Sequence, residues 1–185
     1  MRHILLLPSV LFLTNTFLMT ASASDVKCHD NWQYVVMEQP VANAGVGTNF
    51  TIYKKTKASQ KVTCPVKNKG AWKIPNKDAE YYLGQAGDLL VLDSGTSEQG
   101  RSIILWNLAQ KKSIQRFPYA NEAKVKRNEL IYWVRSNDKV TSKNCPNLKA
   151  LTKLGLDKAI DYKHILNLKT MKVKNTKVTQ CSGVS

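Results

Sequence analysis

The sequence predicts a mainly β protein, a single compact domain of short antiparallel strands. Three observations favour this class. Apolar residues fall in short runs rich in β-branched and aromatic side chains, clusters of Gly, Asn, Asp and Ser separate the runs, and only one segment has helical spacing. A blade-like meander, a sandwich or a partly open barrel would each fit this pattern. Strands are expected at 31–38, 49–54, 80–83, 89–92, 102–108, 113–117 and 129–135.

Two of these runs are apolar on both faces, 103–106 and 130–134, which predicts central strands covered on both sides. The stretch 87–117 is similar to part of a β-propeller blade, although the chain is too short for the four or more blades of a full propeller. One short helix is expected near 146–154, where Leu148, Leu151 and Leu154 recur at helical spacing over the sheet and Gly155 can end the element. The segment 162–174 is expected to be extended, with an irregularity near Thr170.

Length and composition exclude several classes of protein. The 185 residues contain 28 Lys and Arg against 13 Asp and Glu, a formal net charge of +15, and 43% are hydrophobic. This mixture argues against intrinsic disorder, a collagen-like fibre and a polytopic membrane protein. It leaves one strongly basic domain.

The amino terminus has the pattern of a secretory signal peptide. Arg2 precedes an apolar run at 4–19, and the small residues Ala21, Ser22 and Ala23 form a cleavage site. We therefore expect residues 1–23 to be removed after Ala23, leaving a secreted or periplasmic domain at 24–185. A transmembrane span is not expected, because the uninterrupted apolar stretches are shorter than a spanning helix needs.

Export changes the interpretation of the four cysteines. An even number of cysteines in an oxidising compartment predicts two disulfides, for which three pairings exist. We favour Cys28 with Cys64 and Cys145 with Cys181, because each pair then closes a separate loop with the same sequence separation of 36. Neither a metal nor another cofactor is expected, since no Cys-x-x-Cys or His-x-x-x-His spacing occurs.

The sharpest chemical motif is DSGTS at 93–97, after the apolar run 89–92, which is similar to the active-site signature of aspartic proteases. Such chemistry needs two carboxylates that share a proton, and one motif supplies only Asp93, so catalysis would require a symmetric dimer. The favoured interpretation is structural. A strand runs into a loop in which Asp93 and Ser94 bond backbone groups and Gly95 takes a positive φ, so Asp93→Asn should cost about 1 kcal/mol.

Charge provides the strongest functional indication. Eight lysines lie within residues 54–77 without an acidic residue, and a second acid-free group of lysines lies near the carboxyl terminus. If strands from the two regions lie side by side, their fields add and attract anionic polymers or surfaces. The residues predicted to bind are Lys54, Lys55, Lys57, Lys61, Lys172, Lys174 and Lys177.

Several segments together also resemble a known group of proteins. They are DSGTS at 93–97, RSIILWNL at 101–108, ELIYW at 129–133, NCP at 144–146, LNLKTMK at 166–172 and a last Cys181. In this order they resemble small exported two-disulfide proteins of Gram-negative bacteria that have no assigned function. The resemblance covers about the last two-thirds of the chain. It implies export and a shared compact fold, and it transfers no catalytic or binding residue.

Two classes of function therefore stay open. The preferred hypothesis is a non-enzymatic exported binding module for an anionic partner: an acidic glycan, a phospholipid headgroup or an acidic protein surface. Nucleic acid is a secondary choice, because phosphate attraction does not depend on sequence but export disfavours such a partner. The alternative is an aspartic-protease-like hydrolase that uses Asp93 in a dimer.

Overall fold

The fold is taken from a computed structural model, which describes residues 26–42, 45–67, 69–97 and 100–184. These residues form three antiparallel sheets of four strands each and one short helix, so the predicted mainly β class is confirmed. Within each sheet, strands that follow one another in the sequence are neighbours. Every sheet is thus a meander, the unit of a propeller blade. The predicted signal peptide at 1–23 lies outside the described residues.

The strands run in order through the three sheets. Sheet 1 contains β1 (Lys27–Asp30), β2 (Tyr34–Pro40), β3 (Thr48–Lys54) and β4 (Trp72–Ile74). Sheet 2 contains β5 (Glu80–Ala86), β6 (Leu89–Ser94), β7 (Ser102–Asn107) and β8 (Lys112–Pro118). Sheet 3 contains β9 (Ala120–Lys126), β10 (Glu129–Arg135), β11 (Asp157–Asn167) and β12 (Lys172–Val184), with helix α1 (Leu148–Lys153) between β10 and β11.

Sheet 2 is the middle layer, and alternation along β6 explains why. Successive strand side chains point to opposite faces. Leu90 and Leu92 belong to the cluster shared with Phe50 and Ile52 of sheet 1, whereas Leu89 and Val91 belong to the cluster shared with sheet 3. All six residues of β6 are buried, which is the continuous apolar pattern expected of a strand covered on both faces.

The two predicted central strands differ in burial. In β7, Ile103, Ile104 and Leu105 are buried and contact both clusters, as predicted. In β10, only Leu130 and Tyr132 are buried. The prediction that 130–134 is covered on both sides was wrong, because sheet 3 is an outer layer.

Both predicted disulfides are present and close the loops inferred from the spacing. Cys28 and Cys64 lie 6.1 Å apart and Cys145 and Cys181 lie 5.1 Å apart, measured between Cα atoms. The first disulfide ties the loop after β3 to β1. Val66 of that loop packs on Val35 and Met37 of β2, on the outer face of sheet 1. The second ties the segment before α1 to β12. Each loop is thereby held against an outer sheet.

Helix α1 is shorter than the segment predicted near 146–154. A Cβ atom built on Gly183 would lie 2.6 Å from Leu156 Cδ1 and 3.1 Å from Leu151 Cδ2, so the helical segment packs closely on β12. Leu154 is the C-cap residue and 70% exposed. The helical spacing predicted that Leu154 packs over the sheet, and its exposure shows that this prediction was wrong.

Other differences from the prediction concern connections. The segment 162–174 is not one extended strand, because it contains the hairpin between β11 and β12. The extended prediction omitted 157–161 of β11 and 175–184 of β12, and strands β1, β4 and β9 were not predicted at all. β1 and β4 are very short, and β9 alternates small and charged residues (ANEAKVK), so none has the apolar run of a typical strand.

The last hairpin turn of sheet 2 and the last hairpin turn of sheet 3 have the same sequence pattern and conformation. The sequences NLAQKK at 107–112 and NLKTMK at 167–172 occupy the β7–β8 and β11–β12 turns. In each turn the leading Asn side chain accepts a backbone N–H bond, and a later residue, Lys111 or Met171, has a φ of 53° or 56°. Leu108 N donates to Asp88 O and Leu168 N to Asn128 O, both at 2.8 Å. The β7–β8 and β11–β12 turns therefore have the same conformation and the same kind of bond to the neighbouring turn of their sheet.

Candidate functional site

Five turns, from all three sheets, lie at one end of the molecule, which we call the turn end: β1–β2, β5–β6, β7–β8, β9–β10 and β11–β12. Asn31, in the β1–β2 turn, donates from Nδ2 to Gly87 O in the β5–β6 turn at 3.1 Å. Lys55 N donates to Gln33 O at 2.7 Å, which places the end of β3 beside the same turn. The β7–β8, β9–β10 and β11–β12 turns lie at this end of sheets 2 and 3. We call the opposite end, where β6 and β10 finish, the far end.

A cleft of about 630 Å³ opens at the turn end between residues of all three sheets. Trp32 of sheet 1 lies at this cleft and is 62% exposed, whereas large aromatic side chains are usually mostly buried. Ile114 and Met171, which also line the cleft, are 40% and 38% exposed. Exposed apolar side chains gathered around a concave site are typical of a ligand-binding surface.

The cleft also contains polar groups of both signs. Lys169 contributes a positive charge, Asp88 contributes a carboxylate, and Asn107 and Asn128 contribute amides. Burial, reinforced by the neighbouring Asp88 carboxylate, raises the pKa of Tyr34 to about 12. The cleft can therefore accept hydrogen bonds from hydroxyl groups as well as attract anions.

Exposed cations lie in or next to the turn-end connections of every sheet, and one of them, Lys169, lines the cleft. These turn-end cations are Lys54, Lys57, Lys111, Lys112, Lys126, Arg127, Lys169 and Lys172. Among the described residues at this end, the acidic ones are Asp30, Asp88 and Glu129. The excess of positive charge makes the turn end attractive to anions.

The lysines predicted to bind do not form one surface. Lys54, Lys57 and Lys172 lie at the turn end, whereas Lys61 lies in the loop after β3 and Lys174 and Lys177 lie further along β12. The two basic regions do not lie side by side, because β3 and β12 belong to outer sheets on opposite sides of sheet 2. Lys54 and Lys57 of sheet 1 and Lys172 of sheet 3 share only their position at the turn end of the molecule.

Lys55 differs from the other predicted binding residues. Its side chain is only 5% exposed, and Nζ forms an ion pair with Asp30 at the end of β1. A buried and paired ammonium is not available to a ligand at the surface. Lys55 therefore serves to join β1 to the end of β3.

Asp93 lies at the far end, buried in the middle sheet. Its carboxylate forms an ion pair with Arg101, whose Nε lies 3.3 Å from Oδ1, and accepts a hydrogen bond from the Tyr119 hydroxyl at 2.8 Å. Burial, followed by this hydrogen bond, raises the pKa of Tyr119 above its ordinary value. Among the described residues, Asp93 thus bonds side chains and not the backbone groups expected from the sequence. Ser94 does bond the backbone as expected, since its Oγ donates to Asp78 O at 3.2 Å. The expected positive φ of Gly95 is present, at 113°.

A second buried carboxylate, which the sequence analysis did not identify, lies in sheet 3. Asp161 is fully buried and pairs with Arg135 Nε at 3.1 Å. It also accepts short hydrogen bonds from Asn121 Nδ2 and Ser182 Oγ. These partners come from β10, β9 and β12, so the carboxylate links all four strands of the sheet.

The cleft residues were also missed, although the sequence contains signals for them. Trp32 lies in the predicted strand 31–38, but Asn31 and Gln33 flank it as turn residues. The repeated Asn-Leu pair at 107 and 167, each followed by a Lys five residues after the Asn, could have indicated that the β7–β8 and β11–β12 turns are equivalent. Nothing local indicated that these turns meet Trp32.

In the described ranges, no helix has both the length and the apolar character needed to cross a membrane. Over the same residues, His, Cys, Asp and Glu side chains nowhere form a group of three or more that could hold a metal ion. No protein-family model, no curated protein and no solved structure matches the chain.

Proposed function

We propose that the protein is a non-enzymatic exported module that binds an anionic partner through its turn end. The observation that carries this proposal is the group of eight exposed turn-end cations at the same end of the molecule as an open cleft. Seven of the eight are lysines, whose mobile point charges suit diffuse attraction to an extended anionic partner. Summed over one end of a small domain, such charges create a potential that concentrates anions.

Export is the second part of the proposal. The two disulfides fit an oxidising compartment, such as the extracellular space or the periplasm. The signal-peptide pattern at 1–23 and the resemblance to small exported proteins of Gram-negative bacteria support the same location.

The surroundings of Asp93 favour a structural role over hydrolysis. An acid dyad needs a second carboxylate close enough to share a proton. Here the carboxylate forms an ion pair with the Arg101 guanidinium, and the Tyr119 hydroxyl donates to Oδ1. We therefore assign Asp93 to the stability of the far end.

The proposal is tested by moving the same change in charge between the two ends. Protein expressed from the full 185-residue sequence and purified after export is titrated at low salt with polygalacturonate and with phosphatidylglycerol vesicles. One variant carries Lys54→Glu, Lys57→Glu and Lys172→Glu. The matched control carries Lys139→Glu, Lys143→Glu and Lys149→Glu, which are exposed in the segment that leaves and re-enters sheet 3 at the far end.

We expect the turn-end variant to lose most anion binding and the control to keep it. Binding of the parent should weaken as salt rises, because exposed charges are screened beyond a Debye length of about 8 Å at physiological ionic strength. Equal losses in both variants would show that net charge alone attracts the anion. Unchanged binding in the turn-end variant would contradict the proposed site.

A further inference from the structure

We propose that the turn-end cleft takes an acidic polysaccharide and that one sugar ring of the polymer stacks on Trp32. This inference rests on the proposed function and assigns a ligand class to the same site. It draws on three features of the cleft: an exposed aromatic surface, a carboxylate inside a basic surrounding, and cations on several turns.

Trp32 provides the aromatic surface. Its side chain is 62% exposed at a cleft whose other exposed apolar residues are Ile114 and Met171. The face of an indole ring is electron-rich and attracts the weakly positive C–H bonds on the apolar face of a sugar ring. Asn31 holds the turn that carries Trp32, because its Oδ1 accepts N–H bonds from Gln33 and Tyr34 at 2.8 and 2.7 Å. The ring is thus presented on an ordered turn.

Asp88 distinguishes between kinds of anion. A ligand made only of acidic groups, such as polyphosphate, is repelled by a carboxylate within the cleft. The hydroxyl groups of a saccharide can donate hydrogen bonds to a carboxylate or to an amide oxygen. Asp88 and Asn128, which carry these two groups, both line the cleft. Asp88 therefore favours an anion that also donates hydrogen bonds.

The turn-end cations favour a polymer over a single sugar. Lys169 lines the cleft itself, whereas Lys54, Lys112 and Arg127 lie at the turn end of three different sheets. A polysaccharide with an acid group on successive sugars can meet several of these cations while one ring occupies the cleft. A lipid bilayer is the competing partner, but its flat surface matches a concave cleft less well than a chain does.

The experiment compares polygalacturonate with polyphosphate of equal charge concentration, and with phosphatidylglycerol vesicles, using the same purified exported protein. The variants are Trp32→Ala, Trp32→Phe and Asp88→Asn. Leu154→Ala serves as the control, because Leu154 is a 70% exposed apolar residue in the segment at the far end. The thermal midpoint of each variant shows that folding is retained.

We expect the parent to bind polygalacturonate more tightly than polyphosphate. Trp32→Ala should weaken polygalacturonate binding about tenfold while polyphosphate binding is unchanged, and Trp32→Phe should recover most of the loss. Asp88→Asn should strengthen polyphosphate binding and reduce the preference for the sugar polymer. Leu154→Ala should change neither.

Three outcomes would overturn the inference in different ways. If Trp32→Ala leaves polygalacturonate binding unchanged while the Lys54, Lys57 and Lys172 variant loses it, the stacked sugar is wrong and the proposed anion-binding end stands. If Trp32→Ala weakens vesicle binding alone, the partner is a membrane surface. If the parent binds none of the three probes, both the inference and the proposed function fail.

Discussion

Two buried aspartates at the far end, Asp93 in sheet 2 and Asp161 in sheet 3, each form an ion pair with an arginine. The two sites differ in which strand contributes the acid and which contributes the arginine. In sheet 2 the carboxylate is on the second strand, where Asp93 of β6 meets Arg101, just before β7. In sheet 3 it is on the third strand, where Asp161 of β11 meets Arg135 of β10. Either way, an ion pair joins the second and third strands of the sheet at the far end.

The two sites also hold the connection between their sheets. Tyr119 donates to Asp93, and Asn121 donates to Asp161. The two donors, Tyr119 and Asn121, are separated by a single residue in the sequence. Asn121 has a φ of 58°, a left-handed conformation that Asn tolerates better than most residues. The crossover from sheet 2 to sheet 3 is therefore anchored on a buried carboxylate at each side.

The difference between the sites lies in the number of partners. Asp161 is 0% exposed and has three side-chain partners from three other strands, whereas Asp93 is 5% exposed and bonds Arg101 and Tyr119. Only Asp93 lies in a sequence that is similar to a catalytic motif, and yet the two carboxylates have the same kind of surroundings. The partners around a buried acid, and not the motif that contains it, indicate its role.

The largest effect is expected from Asp161→Ala. This change removes a buried charge and leaves Arg135, Asn121 and Ser182 without their acceptor, which should lower the free energy of unfolding by about 3 kcal/mol. Urea denaturation followed by fluorescence measures this loss. If Asp161→Ala lowers the free energy of unfolding less than Asp93→Ala does, the prediction that Asp161 contributes more to stability is wrong.

Asp93→Ala should destabilise the protein less, by about 2 kcal/mol. The Arg101 side chain is 34% exposed and can regain water, and only Tyr119 is left with a buried donor. This exceeds the cost of about 1 kcal/mol expected for Asp93→Asn from the sequence, because the carboxylate is paired and buried and not in an open turn. Binding of polygalacturonate should persist in the folded variant, since Asp93 lies at the far end.

Tyr119→Phe tests the link between the crossover and sheet 2. Loss of one hydrogen bond should cost about 1 kcal/mol near neutral pH. Because the folded-state pKa of Tyr119 is raised above its ordinary value of 10.0, its contribution is full below about pH 10 and is lost as pH rises through the folded pKa. The parent should therefore lose stability above pH 10, and Tyr119→Phe should lose less over the same range. Denaturation at several alkaline pH values measures the difference.

The smallest effect is expected at His164 of β11, in sheet 3. Burial lowers its pKa from the ordinary value of 6.5, so the unfolded chain binds a proton at a higher pH than the folded chain does. Stability should fall slightly as pH drops below 6.5, down to the folded-state pKa. His164→Gln should remove this part of the acid dependence while leaving the alkaline loss intact. An identical acid profile in the variant would assign the fall to other groups.

Part of the fold and of the candidate site could be predicted from local patterns. The runs that became β3, β6, β7 and β10 contain enough β-branched or aromatic residues to identify strands without tertiary contacts. Strand β4 could not be found this way, because three residues gain their strand conformation from pairing with β3. At the site, the excess of lysines could be predicted, but Lys55 could not be separated from Lys54, since only the ion pair with Asp30 buries it.

The sequence by itself determined the mainly β class and the strong positive charge, because these depend on composition and on local patterns. It left three pairings of the four cysteines open, and the structure confirms the one that equal spacing favoured. The tertiary structure alone decided which sheet lies in the middle, that two distant acids each meet an arginine, and that Trp32 and Lys169 line one cleft. These features arise where three meanders bury their apolar faces against one another. Contacts of this kind join residues far apart in the chain, and no local pattern encodes which faces will meet.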